Sequence, residues 1–158
     1  MESVEAQIAE WRAYVASAPG VNGRDVDELD GFFEFLAAEV AHPGLRGLVA
    51  RFAGDADFRA RLRVLPATQE AHHAWAGGLL EHTVGVASLC REAAQLHPRL
   101  RTDILLASAL LHDAGRVREL DRGLLFLPTA EGRLLGHVHL GLRMIEEQAG
   151  GLGPEVLA

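Results

Sequence analysis

The sequence has no lysine, a single cysteine and no apolar run long enough to cross a bilayer. Cys90 alone cannot form an internal disulfide, and such sparse cysteine is typical of a reducing compartment. The N-terminus also lacks the basic and then apolar order of a signal peptide. We therefore expect a cytoplasmic protein with no membrane partner, in which 158 residues and 49% apolar content suit one domain.

The net charge of −7 argues against a simple electrostatic nucleic-acid binder. The excess lies in residues 1–44, which hold nine acidic residues against two arginines, whereas residues 45–158 have thirteen of each. Arginines near the His-Asp motif described below suit a phosphate-bearing ligand, because a guanidinium presents a forked donor. For any single arginine, an ordinary solvated helix surface is the better explanation. The arginines concerned are Arg116, Arg118, Arg122, Arg133 and Arg143.

Apolar residues recur at helical spacing through most of the chain, which predicts an all-α fold. A short amphipathic helix and a linker are predicted over residues 1–24, and one domain over residues 25–158. Two short apolar runs around Gly123 predict a small β-hairpin, Val117–Leu120 with Leu124–Leu127. The domain's predicted helices run from an Asp30 cap to about Ala41, from Leu45 to Gly54, from Asp55 or Asp57 to Pro66, from Leu79 to Leu96, from a Thr102 cap to Ala114, and from Thr129 to about Gln148.

The segment Ala109–Arg116 begins as an apolar helix and ends on the polar pair His112-Asp113. Two metal-capable side chains at a buried helix end are costly unless something binds them. Adjacent helical residues point about 100° apart, so this pair can reach one ion only from the side and needs further ligands. His82 and His137 lie on inward faces of their predicted helices and are the leading candidates.

Imidazole and carboxylate ligands from three helices suit Mn, Fe, Co, Ni or Zn better than Ca or Mg. One such ion would lower the pKa of a bound water and supply hydroxide at neutral pH, and two ions could clamp a phosphoryl transfer. The alternative is three coincidental core histidines, each with its own hydrogen-bond partner. Of these two interpretations, spacing favours the metal site.

Three blocks in order resemble the HD superfamily of metal-dependent phosphohydrolases, and more closely the HD domain of the YhaM-type 3′→5′ exoribonucleases. Relatives of conjugative relaxases carry a similar block around the first His, so this first block alone does not separate the two groups. The resemblance covers roughly residues 25–148 and implies an all-α HD bundle. It also implies His82, His112 and Asp113 as metal ligands, with His137 as a ligand to a second ion. The blocks are His72-His73-Ala74 with Gly77–Thr83, Leu110–Arg116, and Glu131–His137.

The predicted catalytic residues are Asp113 and Arg116. Arg116 stands where the family more often has Lys, and the resemblance implies that it contacts substrate phosphate. His73 could reach substrate from the loop before the His82 helix, with a structural contact beneath Trp75 as an equally favoured alternative. Arg133 is the remaining predicted substrate contact.

Two departures from the family pattern affect the functional prediction. The family normally places an OB-fold before the HD domain, and residues 1–24 are too short for one. The pattern also continues past residue 158 to a His-His-Gly motif and a final Asp ligand, and no Asp follows Asp121. A fragment of a longer chain, a site completed by a neighbouring subunit and a degenerate site all remain open. An incomplete core would expose the apolar face of Leu134–Ile145 and favour a homo-oligomer.

The sequence thus leaves two functions from different classes. The first is a metal-dependent phosphohydrolase or phosphodiesterase that acts through a metal-activated water on nucleotides or on the 3′ ends of single-stranded RNA or DNA. The alternative is a catalytically incomplete HD module that serves as a binding or oligomerisation domain.

Overall fold

A computed structural model describes residues 24–69, 72–121, 123 and 126–150. An all-α bundle is confirmed for this part of the chain, and none of its helices is long and apolar enough to cross a membrane. The predicted helix of residues 2–16 lies outside the described residues. The helices are α1 (Val26–Ala38), α2 (Pro43–Gly54), α3 (Ala56–Leu62), α4 (Gly78–Leu96), α5 (Thr102–Leu111), α6 (Arg116–Glu119) and α7 (Ala130–Ala149).

The core forms where α4 packs against α5 on one side and against α1 on the other. Phe33 of α1, Leu79 of α4 and Leu106 of α5 are each at most 1% exposed. Burying a side chain of this size stabilises the fold by about 1.5–3 kcal/mol. Leu79 and Leu110 each lie within one turn of a candidate ligand, so the same packing fixes the start of α4 and the end of α5.

The first helix begins at a different cap from the one predicted, and the second begins at a cap that was not predicted. Asp25, not Asp30, caps α1 and accepts a hydrogen bond from the Asp27 backbone N–H at 2.7 Å. The Asp30 carboxylate instead pairs with Arg59 and Arg63, so tertiary ion pairs, not capping, explain this aspartate. The cap of α2 is His42, whose Nδ1 accepts from the Leu45 N–H. A proline at the first helical position then follows, as is common at helix starts.

The predicted β-hairpin is wrong in its first strand. Val117 is 3% exposed within α6, and backbone hydrogen bonds from Arg116 to Asp113 and from Glu119 to Gly115 continue the helical path. A single antiparallel bridge, Leu120 with Pro128, is all that the described residues show of the hairpin. Burial of Val117 against α7 therefore outweighs its β propensity, since strand propensity depends on context.

The long last helix is confirmed but is interrupted within its length. Thr129 caps α7 as predicted, its Oγ1 accepting from the Gly132 N–H at 2.9 Å. Gly136 has φ 70° and ψ 162°, a conformation essentially restricted to glycine. The interruption places His137 at the start of a second helical stretch, which continues to Ala149.

Candidate metal centre

Three predicted ligands come together where α4 begins and α5 ends. His82 Nε2 lies 3.2 Å from His112 Nε2 and 3.7 Å from Asp113 Oδ2. His112 Nε2 lies 3.5 Å from the same Asp113 oxygen. These three residues form a group whose ligand atoms all lie within 4.8 Å of one another.

The spacing of these donors fits a transition-metal ion. Two ligands bound at about 2.1 Å with angles of 90–109° lie about 3.0–3.4 Å apart, close to the separations observed. His112 Nδ1 lies 2.9 Å from the Ala109 carbonyl oxygen, an acceptor, so Nδ1 carries the proton and Nε2 keeps its lone pair. Burial, and then the neighbouring His112, lower the pKa of His82, which favours the neutral form that binds metals.

His137 approaches the opposite oxygen of the same carboxylate. Its Nε2 lies 3.4 Å from Asp113 Oδ1, whereas His82 and His112 face Oδ2. The Asp113 side chain is only 11% exposed. One oxygen of this carboxylate therefore faces two imidazoles and the other oxygen faces one. Asp113 could thus serve as a ligand to a single ion or to each of two adjacent ions.

Glu119 belongs to this site, and sequence reasoning missed it. Its Oε1 accepts a hydrogen bond from the His137 backbone N–H at 3.1 Å and lies 3.4 Å from His137 Nδ1. Its Oε2 accepts from the Arg116 NH1 group at 2.6 Å. The sequence offered one signal for Glu119, its position three residues after Arg116. That spacing by itself indicates only an ion pair on a helix surface.

The two predicted phosphate-binding arginines have different environments. Arg116 is 19% exposed, and its Nε lies 3.9 Å from Asp113 Oδ1. Within the described part of the chain this Nε is buried and has no hydrogen-bond partner. Arg133 is exposed and donates from NH1 to the Pro128 carbonyl oxygen at 2.7 Å. The structure thus places Arg116 beside the candidate ligands and directs Arg133 to a loop carbonyl, and a substrate contact for Arg133 stays a prediction.

His73 makes the predicted structural contact with Trp75 and also lies beside His82, while a substrate contact for His73 stays a prediction. Its ring centroid lies 5.0 Å from that of Trp75 and 5.5 Å from that of His82. Its φ of 51° is unusual for a residue other than glycine. Its Nδ1 is buried, lies 3.9 Å from Glu81 Oε2 and has no hydrogen-bond partner among the described residues.

The loop before α4 approaches the helix closely enough to require a glycine. A Cβ on Gly78 would lie 2.1 Å from the His73 carbonyl oxygen. The Trp75 Nε1–H donates to Glu81 Oε2 at 3.0 Å and holds the loop to the first turn of α4. His72 is exposed, with its ring centroid 5.0 Å from that of His82.

The chain belongs to the HD domain family, whose family model matches residues 79–158. A helicase family model also matches residues 56–100, which contain the first of the three blocks. No solved structure matches the chain at a significant level.

Several curated proteins named YhaM are similar to this chain, in agreement with the resemblance seen in the sequence. The 3′-5′ exoribonuclease YhaM of Shouchella clausii is 33% identical over 91% of this chain and 44% of its own length. YhaM of Oceanobacillus iheyensis is 33% identical over 69% of this chain and 33% of its own. YhaM of Halalkalibacterium halodurans is 40% identical over 57% of this chain and 28% of its own. The chain therefore spans less than half the length of these relatives.

Proposed function

We propose that this chain is a metal-dependent phosphohydrolase that cleaves phosphodiester bonds through a metal-activated water. One observation carries the proposal: His82, His112 and Asp113 converge with donor spacings of 3.2–3.7 Å in a chain of the HD domain family. The lowered pKa of the buried His82 supports it, because neutral imidazole is the form that binds metals.

The residues of the chain have separate roles in this proposal. His82, His112 and Asp113 would hold one ion, and His137 with Asp113 would hold a second. When bound, such an ion acts as a Lewis acid towards phosphate and activates water for attack at neutral pH. The buried Arg116 Nε–H donates to a phosphate oxygen and so orients the substrate, because it is not used by another described residue.

RNA 3′ ends are the proposed substrate class, with single nucleotides as the alternative. The relatives named above are 3′-5′ exoribonucleases, and that name supports an RNA substrate for this chain. His73 would contact the substrate from the loop before α4, beside His82. Arg133 would contact a more distant phosphate by exchanging its carbonyl partner for the ligand.

Elemental analysis of the purified protein, followed by an RNA cleavage assay, tests this proposal. We expect near-stoichiometric Mn, Fe, Co, Ni or Zn in the parent and a large loss in Asp113→Asn, which keeps the shape of the side chain but removes its charge. Oligonucleotides labelled at either end, with Mn²⁺ or Co²⁺ supplied, report whether cleavage begins at the 3′ end.

The matched control is Asp121→Asn, because Asp121 is a nearby carboxylate that caps a turn by accepting from Gly123 and Leu127 N–H groups. An amide oxygen can accept the same bonds, so we expect this variant to keep metal and activity. A parent that binds no metal after soaking, or that turns over no phosphodiester or nucleotide, would contradict the proposal.

The second candidate is an HD module that serves in binding or assembly. An exposed apolar face on α7 favours it, since Leu134 is 82% and Val138 61% exposed. This candidate predicts stable, oligomeric protein without bound metal. Hydrolysis that is abolished in Asp113→Asn would exclude it.

A further inference from the structure

The break in α7 gives His137 a second interaction besides its approach to Asp113. Because helical dihedrals are lost at Gly136, the His137 N–H takes a partner outside the helix, and that partner is Glu119 Oε1 at 3.1 Å. The same oxygen lies 3.4 Å from His137 Nδ1. One carboxylate oxygen therefore contacts both the backbone and the ring of this histidine.

A carboxylate beside Nδ1 determines which ring nitrogen can bind an ion. An ionised carboxylate only accepts hydrogen bonds, so the nitrogen facing it must carry the proton. The other nitrogen, Nε2, then keeps its lone pair, and it lies 3.4 Å from Asp113 Oδ1. Histidines that bind metals commonly have such a partner on their other nitrogen, which fixes the tautomer and the ring orientation.

The backbone around Glu119 is fixed by close packing against α7. The Glu119 carbonyl oxygen accepts from the Thr129 N–H at 2.8 Å, and a Cβ on Gly132 would lie 2.3 Å from that oxygen. A Cβ on Gly115, at the start of α6, would lie 1.9 Å from the His137 carbonyl oxygen. The Glu119 side chain is 13% exposed, and its second oxygen pairs with Arg116.

We propose that Glu119 is a positioning residue that holds His137 in the Nδ1–H tautomer, with Nε2 turned towards Asp113, and thereby sets the affinity for an ion at that position. The inference rests on the proposed function for the metal it names, but the tautomer exists without metal. Glu119 also positions Arg116, so it links the second ion position to the phosphate-binding residue.

Nitrogen-15 NMR of the histidine side chains in chelator-treated protein at about pH 8 tests the tautomer directly. We expect His137 to be the Nδ1–H tautomer in the parent and a mixture of tautomers in Glu119→Gln, whose amide can either donate or accept. Titration with Mn²⁺ then measures binding, and we expect Glu119→Gln to weaken the ion that involves His137 by about 10–100-fold.

Glu147→Gln is the matched control. Glu147 also joins α7 to α6, through a two-fold hydrogen bond with Arg118, but it contacts none of the candidate ligands. We expect the parent tautomer and parent affinity in this variant. An Nε2–H tautomer in the parent, an unchanged tautomer in Glu119→Gln, or equal losses in both variants would each overturn the inference. A parent that binds no ion contradicts the proposed function, while the tautomer still decides the role of Glu119.

Discussion

Asp113 is the residue through which the two groups of candidate ligands are coupled. His82 and His112 lie 3.5–3.7 Å from one of its oxygens, and His137 lies 3.4 Å from the other. A bound cation would offset the desolvation of this carboxylate, which is only 11% exposed. The free energy of unfolding should therefore depend on metal more strongly than on any one hydrogen bond of the site.

Metal binding should raise the melting temperature of chelator-treated protein. A ligand at one hundred times its Kd stabilises the native state by about 2.7 kcal/mol, which corresponds to about 5–10 °C for a domain of this size. Calorimetry with Mn²⁺ or Zn²⁺ measures the shift. We expect none in Asp113→Asn and the full shift in Asp121→Asn. An equal rise in both variants would place the ion outside the candidate site.

At the level of single residues, helix periodicity was sufficient to predict that three candidate ligands lie close together. His82 lies in the first turns of α4 and the His112-Asp113 pair directly follows α5, and the packing of these two helices fixes where the polar side chains meet. Glu119 could not be found in this way. Its partner His137 is eighteen residues away, and their contact depends on a backbone break that no apolar pattern encodes.

Among the elements, α7 combines two functions that a continuous helix could not. Its first stretch packs on α6 through Gly132. Its second stretch begins at His137, whose backbone N–H has no partner within the helix and donates to Glu119. The apolar periodicity predicted one uninterrupted helix here. Gly136 does not contradict that prediction, because an isolated glycine is tolerated within a helix as well as at a break. Only the tertiary contacts distinguish these alternatives.

Gly136→Ala should destabilise the protein, although its Cβ would meet no atom within 4 Å. The cost is one of backbone strain alone, about 1–3 kcal/mol for a residue forced into this glycine region. Gly85→Ala is the matched control, because Gly85 also has open space around its Cβ but lies within regular α4. That change should stabilise the helix by about 0.5–1 kcal/mol. Urea unfolding compares the two, and equal stabilisation would show that α7 is not interrupted.

The corrected helix boundaries have a common cause in tertiary contacts. Asp30 is of a residue type that commonly caps helices, but its carboxylate forms ion pairs with Arg59 and Arg63. The helix α1 begins five residues earlier, at the Asp25 cap. Val117 has the sequence of a strand but is buried in α6. Local propensities are small, and packing or ion pairing overrides them in each case.

The whole molecule buries one side of α7 and leaves the other uncovered within the described residues. Leu140 and Met144 pack inward, whereas Leu134, Val138 and Leu142 are 82%, 61% and 53% exposed. Val138 and Leu142 are four residues apart in the second helical stretch and form a stripe on one face, whereas Leu134 lies before the break at Gly136. The sequence predicted that an incomplete core would expose the apolar face of Leu134–Ile145; Leu134 and Val138 are exposed, whereas Ile145 packs against the core. What covers the stripe remains a prediction.

A second copy of the chain should cover this stripe, which makes self-association dependent on protein concentration. We expect sedimentation velocity to show oligomers in the parent and mainly monomers in the double variant Val138→Ser, Leu142→Ser. The matched control is Leu89→Ser, Leu96→Ser, which removes two leucines that are 73% and 77% exposed on α4. Because these lie on another helix, the control should keep the parent distribution. Dissociation of the control alone, or a monomeric parent at high concentration, would show that the α7 stripe does not bind a second copy.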